Sequence, residues 1–208
     1  MTHDTATQPR LSRAKIIDAT LEIIDGDGLE AVTMRRIAEE LGVQAPSLYN
    51  HMRSKDELLD AVAESVMESV DTSVFARLEW RAAIEGWAWS YYEALSAHPN
   101  LVPHLAVSFG RLDTALARAD QVFAGLRDAG WTPSRATRIA AGVRYAVYGA
   151  ALASFAGGFA PEARRYPNLG DIDRLRSDAL RVDRAAFKLL IGRFLDGLES
   201  MAPAAPAR

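Results

Sequence analysis

Cysteine is absent from the 208-residue chain, which excludes a disulfide framework and any thiolate metal site and suits a reducing compartment. Four histidines are then the only soft metal ligands available. No apolar stretch approaches the roughly 18 uncharged residues of a membrane-spanning helix, and MTHDTATQPR lacks the apolar segment of a signal peptide. A soluble, cytoplasmic protein without a membrane partner is expected. Strand alternation with hairpin turns is missing, as are internal repeats, a Glu-x-x-His pair, an HExxH helix, a phosphate loop and a nucleophile elbow. Nor is there an excess of basic charge. Net charge is −3, and residues 1–60 hold seven Lys or Arg against eleven Asp or Glu, so no globally basic surface exists to attract nucleic acid indiscriminately.

What remains is a chain with 49% apolar residues, enough for one large helical domain or two unequal ones with a sizeable core. All of its periodic segments are helical. Ser12 can cap a first helix to about residue 25, with Ile16, Ile17, Leu21 and Ile24 as its buried stripe and Gly26-Asp27-Gly28 as its stop. Ser54-Lys55-Asp56-Glu57 is a capping box opening a helix to about residue 70. Further on, Ile84, Trp87, Tyr91 and Leu95 form one stripe before His98-Pro99 breaks it, while Trp89 and Tyr92 point to a second side. A short helix is expected around 101–109, another through Leu112 to Leu126, then 132–155 opened by Thr132-Pro133, and last 183–200. Residues 156–180, with three glycines, two prolines and charges of both signs, read as a long connection with one short helical piece.

The segment TMRRIAEELGVQAPSLYNHMRSK, residues 33–55, carries the most chemistry. Met34, Ile37, Ala38 and Leu41 give one buried face, Gly42 stops that helix, and a second helix over 46–51 keeps only Leu48, with Met52 following, for the core. Ser47, Tyr49, Asn50 and His51 are left outward. A short helix bearing small, hydrogen-bonding and aromatic side chains suits a major groove about 12 Å wide. Charge is placed to match: Arg35, Arg36, Arg53 and Lys55 oppose only Glu39 and Glu40 within the segment.

From Leu11 to Met67 the chain resembles the DNA-binding domain of the TetR (tetracycline repressor) family, with the same elements in the same order over about the first seventy residues. AHPNLVPHLA, the long central helices, the RYPNLG loop and FLDGLES are similar to the ligand-binding and dimerisation domain of the tetracycline-repressor branch. The resemblance implies an all-α fold: an arm over 1–10, a helix-turn-helix domain over 11–56 whose linking helix runs to about 71, a ligand-binding and dimerisation domain over 72–200, and a tail over 201–208. It also implies a dimeric repressor released from a palindromic, double-stranded DNA operator by a small-molecule inducer. Carried over by motif position, Thr33, Met34, Arg35, Ala45, Pro46, Ser47, Tyr49, Asn50, His51 and Lys55 are the DNA-contacting residues. Asn50 suits adenine, Ala45 or Pro46 a thymine methyl, and Tyr49 and Lys55 phosphates.

For the second domain, Trp87, Tyr91, His104, Phe109, Tyr145 and Tyr148 are the candidate pocket. Gly142, Ala146, Gly149 and Ala150, a strip of small residues, and Phe187, Leu190 and Phe194 of the last helix are the candidate dimer face. The tetracycline branch binds its drug as a magnesium chelate, and His104 stands at roughly the matching place. LAVSFG after it lacks that branch's threonine-arginine-proline, however, and YGAALASFA offers no carboxylate. No resident metal or cofactor is therefore expected, and tetracycline itself is disfavoured. Two alternatives stand beside this reading: a regulator of the same fold answering to a protein partner or to no ligand, and, from another class, an all-α enzyme with a metal held by His98, His104 and nearby acids.

Overall fold

The computed structural model describes residues 11–169 and 171–203. The expected arm over 1–10 and most of the expected tail lie outside the described residues. Within them there are ten α-helices and no strand: α1 Arg13–Asp27, α2 Met34–Glu40, α3 Ala45–Tyr49, α4 Lys55–Glu68, α5 Trp80–Ser96, α6 Val102–Ser108, α7 Asp113–Asp128, α8 Pro133–Ala151, α9 Ile172–Ser177 and α10 Ala179–Glu199. The all-α expectation is met.

Local chemistry sets the boundaries of the head. Ser12 Oγ accepts from the Lys15 amide at 3.3 Å, and Ile16, Ala19, Ile23 and Ile24 form the buried stripe of α1. The helix passes Gly26 and stops at Gly28, whose φ of 84° is cheap only for glycine and whose N–H closes on the Ile24 carbonyl at 2.9 Å. Thr33 caps α2 through its hydroxyl, which accepts from the Arg36 amide at 3.1 Å. Gly42, φ 64°, ends that helix, and Val43 N–H returns to Ala38 O at 2.9 Å, which turns the chain tightly into α3. Leu48 and Met52 are fully buried and anchor α3 against the head.

At the start of α4 the serine half of the capping box forms as read: Ser54 Oγ accepts from Glu57 N–H at 3.1 Å. The glutamate half differs. Glu57 reaches one residue further back, accepting from the Arg53 amide at 2.8 Å and from the Arg13 guanidinium at 3.4 Å. The Arg53 bond is the main reason its carboxyl lies below the usual 4.5, with Arg13 adding to it. The consequence is a tie between α1 and the start of α4.

α4 is shared by two halves of one continuous core. Leu58, Leu59, Val62, Val66 and Met67 are buried, with α1 on one side and α5, α6 and α7 on the others. Its neighbour α5 packs mainly on α8 and also on α10. Tyr92 stacks on Phe187 at 4.2 Å and 15°, and Trp89 meets the same ring edge-on at 5.0 Å. The second side of α5 is thus covered by α10 of the same chain. Two ends differ from the sequence reading: α8 closes at Ala151 rather than 155, and α10 opens at Ala179, four residues before 183.

Candidate DNA-reading surface and ligand pocket

α3 stands at the surface with Pro46, Tyr49 and Asn50 exposed and Ala45, Ser47 and His51 half-buried beside them. The Asn50 side chain makes no hydrogen bond within the described chain, and Tyr49 is 52% exposed, so both are free to meet something outside. Thr33 is exposed, its hydroxyl oxygen accepting the α2 cap bond while its O–H remains able to donate outward, and Met34 is half-buried against the core. The cations are less free than the sequence implies. Arg35 pairs with Glu39 at 2.9 Å, and Arg36 lies 3.6 Å from Asp27 and 3.8 Å from Glu40. Lys55, read as a phosphate contact, is half-buried and directs Nζ at the Leu29 carbonyl, 3.4 Å away. Its position at the first turn of α4 turns the side chain back toward the loop after α1. The exposed ion pairs of Arg35 and Arg36 are screened by water and weak, so phosphates can displace them at small cost.

A cavity of about 190 Å³ lies among α4, α5, α7 and α8. Met67 and Val70, Trp87 and Tyr91, Phe109, then Ala115, Arg118, Ala119, Val122 and Phe123, and finally Thr137, Ala140, Ala141 and Arg144 surround it. Of the pocket residues read from sequence, Trp87, Tyr91 and Phe109 line it. Tyr148 stands behind that wall, accepting from Tyr91 at 3.2 Å and donating to Leu105 O at 3.3 Å. Burial, reinforced by Tyr148 and opposed by Arg144, pushes the Tyr91 hydroxyl well above the usual tyrosine range, so it stays a neutral phenol. His104 and Tyr145 do not reach the cavity. His104 Nε2 sits 3.0 Å from Asp60 Oδ1 on α4, and Tyr145 is 75% exposed on the outer side of α8. Periodicity missed Arg118 and Arg144, because an arginine on a helix reads as solvated. The available signal was Arg144 standing inside the otherwise apolar run of α8.

The dimer-face residues also divide. Phe187 is 1% exposed under Trp89 and Tyr92, which makes it core. Gly142 serves a contact within the chain: a Cβ there would lie 2.8 Å from the Phe194 ring of α10. Phe194, Ala146 and Ala150 are half-buried, whereas Gly149 and Leu190 are exposed. α8, α10 and the residues after α8 also expose the large apolar side chains Tyr145, Leu152, Phe155 and Leu189.

Two sets of bonds tie the head to the remainder. Asn100 Nδ2 donates to the carbonyls of Ile24 and Asp25 at 2.9 and 3.1 Å, with His98 2.8 Å from Asp25. Asp60 on α4 accepts from Arg111, closest at 3.1 Å, and faces His104, while Glu64 accepts from the Asp113 amide at 3.1 Å. His98 and His104 therefore each face one aspartate. No group of three or more His, Asp and Glu that could hold a metal ion occurs among the described residues.

A three-helix head presenting α3, joined by α4 to a larger helical body with a half-open cavity between its helices, defines a helix-turn-helix regulator of the all-helical class. Residues 16–62 match the model described as "Bacterial regulatory proteins, tetR family". The chain is 35% identical over 147 residues to tetracycline repressor protein class C of Escherichia coli, covering 69% of this chain and 66% of that protein. It is 33% identical over 151 residues to tetracycline repressor protein class A from transposon 1721 of Escherichia coli, covering 71% and 69%. A TetR variant from Acinetobacter baumannii AYE, crystallised in complex with minocycline, superposes with a TM-score of 0.68 at 25% identity over 94% of this chain and 100% of that one. The chain belongs to the TetR family of bacterial regulatory proteins. Its alignments span about two thirds of these curated relatives' lengths. Among the described residues, no helix is long and apolar enough to cross a membrane.

Proposed function

We propose that the chain is a DNA-binding transcriptional repressor that acts as a homodimer on a palindromic operator and is released when a small molecule enters the cavity. One short recognition helix contacts too few base pairs for specificity, so a second head is required. The exposed apolar surface of α8 and α10 suits a two-fold bundle that supplies it. In this arrangement the body runs over 72–200 and the head over 11–56, with α4 as the part they share. Relatives named tetracycline repressor, and a neighbour holding minocycline, support a small molecule as the signal.

The observation that carries this reading is the path from cavity to head. Phe109 forms part of the cavity wall and begins the turn Phe109–Arg111; Arg111 grips Asp60, and Glu64 holds the start of α7. Displacing Phe109 therefore displaces α4, and with it the head packed on Leu58 and Val62. A ligand acts only through its different affinity for the two positions of α4.

A pocket-filling substitution replaces the ligand in the test. Ala140→Phe, projecting a ring into the cavity, is expected to weaken binding to DNA selected by the parent protein by about tenfold, within the usual range of such couplings. Adding Asp60→Asn should bring affinity back to within about threefold of the parent, because the path is cut. Fluorescence anisotropy on the same duplex measures both. An Ala140→Phe protein that folds cooperatively and binds like the parent would refute control through this cavity.

A further inference from the structure

Fourteen residues line the cavity, and none is Asp, Glu or His. Two are arginines. Arg118 spends its guanidinium on the wall, donating to Glu68 O at 2.8 Å and to Thr72 Oγ1 at 3.3 Å. Arg144 is different. Its guanidinium donates to Ala106 O at 3.2 Å and bonds to the Tyr91 hydroxyl oxygen, lies 4.2 Å over the Phe109 ring and 5.0 Å over Tyr148, and has no carboxylate within ion-pair distance among the described residues. Several other arginines that tie elements together here are paired with a carboxylate: Arg81 with Asp196, Arg111 with Asp60, Arg184 with Glu93. A guanidinium has five N–H donors, and this one is half-buried beside an apolar space with donors left over and no anion to take them. Tyr91 and Thr137 do not compete with it as donors, since their hydroxyl hydrogens go to Tyr148 and to Pro133 O.

The volume of this half-open cavity is the other guide to its occupant. About 190 Å³ is little more than the roughly 150 Å³ of an apolar cavity that takes one benzene, and falls short of the roughly 300 Å³ at which drug-sized sites begin. A magnesium chelate does not fit these residues. Two cationic side chains face the space, no carboxylate or imidazole does, and His104 is held against Asp60 outside it.

We propose that the cavity takes a one- or two-ring apolar molecule bearing a single anionic group, a carboxylate or its equivalent, and that Arg144 recognises that group. The ring system lies against Trp87, Phe123 and Val122, and the anion meets the unused donors of Arg144. The assignment rests on reading the cavity as the inducer site. Without that guanidinium, burying a carboxylate would be prohibitive.

Isothermal titration of the whole chain with matched acids and amides tests it: benzoate and benzamide, phenylacetate and phenylacetamide, 1- and 2-naphthoate and their amides, with tetracycline plus magnesium as a separate arm. At least one acid should bind one site per chain about tenfold more tightly than its own amide, the gain expected of a charge-assisted bond. Arg144→Gln should abolish that preference and Arg144→Lys should keep part of it. Amides that bind as well as their acids, no binding by any acid, or tetracycline with magnesium displacing every acid would each overturn the proposal. The acid-against-amide comparison needs no variant and so is unaffected by how the substitutions fold. An amide that binds and releases the selected DNA while its acid does not would sink the anion assignment and leave the inducer reading intact. An acid that binds through Arg144 without changing DNA affinity would do the reverse.

Discussion

Asn50→Ala is expected to weaken binding to the selected operator by about thirtyfold or more while leaving the melting temperature of the protein nearly unchanged. One lost bidentate contact to a base costs about 1 to 3 kcal/mol, and a dimer loses it twice, giving about 2 to 6 kcal/mol in all. Stability should not follow, because the Asn50 side chain is exposed and bonds to nothing in the described chain. The loss should also be uneven: duplexes altered at the contacted base pair would no longer be discriminated, whereas those altered elsewhere would still be. Anisotropy titrations of parent and variant against a set of singly substituted operators measure it. A uniform loss across all of them would place Asn50 on the backbone and leave base reading to its neighbours.

The second large effect concerns the partner copy. Tyr145→Glu combined with Leu152→Glu is expected to convert the protein to a 22.7 kDa monomer and to weaken operator binding by about a hundredfold or more. Both residues are more than half exposed, at 75% and 53%, so the fold does not depend on them. If two copies of α8 and α10 meet across a two-fold axis, each glutamate is carried into an apolar interface near its own copy, and both burial and repulsion oppose association. Losing the dimer forfeits the effective concentration that one bound head gives the other, worth about a hundredfold to ten-thousandfold. Sedimentation velocity reads the mass and anisotropy the affinity. A double variant that remains dimeric would move the interface off this face.

The head was legible because its signals are local. Ser12, Thr33 and Ser54 cap the helices they precede, Gly28 and Gly42 take the positive φ that ends α1 and α2, and Leu48 is buried as its isolation in a polar helix required. The body was less legible because a period of 3.6 tells which face is buried but not what covers it. Phe187 and Leu190 belong to one apolar stripe by sequence, yet Phe187 is stacked on Tyr92 in the core and Leu190 is half exposed. Gly142 belongs to a strip of small residues, and its close neighbour is Phe194 of the same chain. By residue type and place His104 suits a metal ligand, but its partner Asp60 lies 44 residues earlier, a pairing that no spacing rule could supply. Arg144 was overlooked for the converse reason: its significance lies in the absence of an acidic partner, which only the packed structure reveals.

Selection of bound sequences from a random pool of duplex DNA by the purified chain tests most directly whether two copies of α3 read one operator. Two inverted copies of a short motif, centred about one helical turn (roughly 34 Å) or a multiple of it apart, are the predicted outcome. A pool that enriches nothing, or only a single unpaired motif, would contradict it.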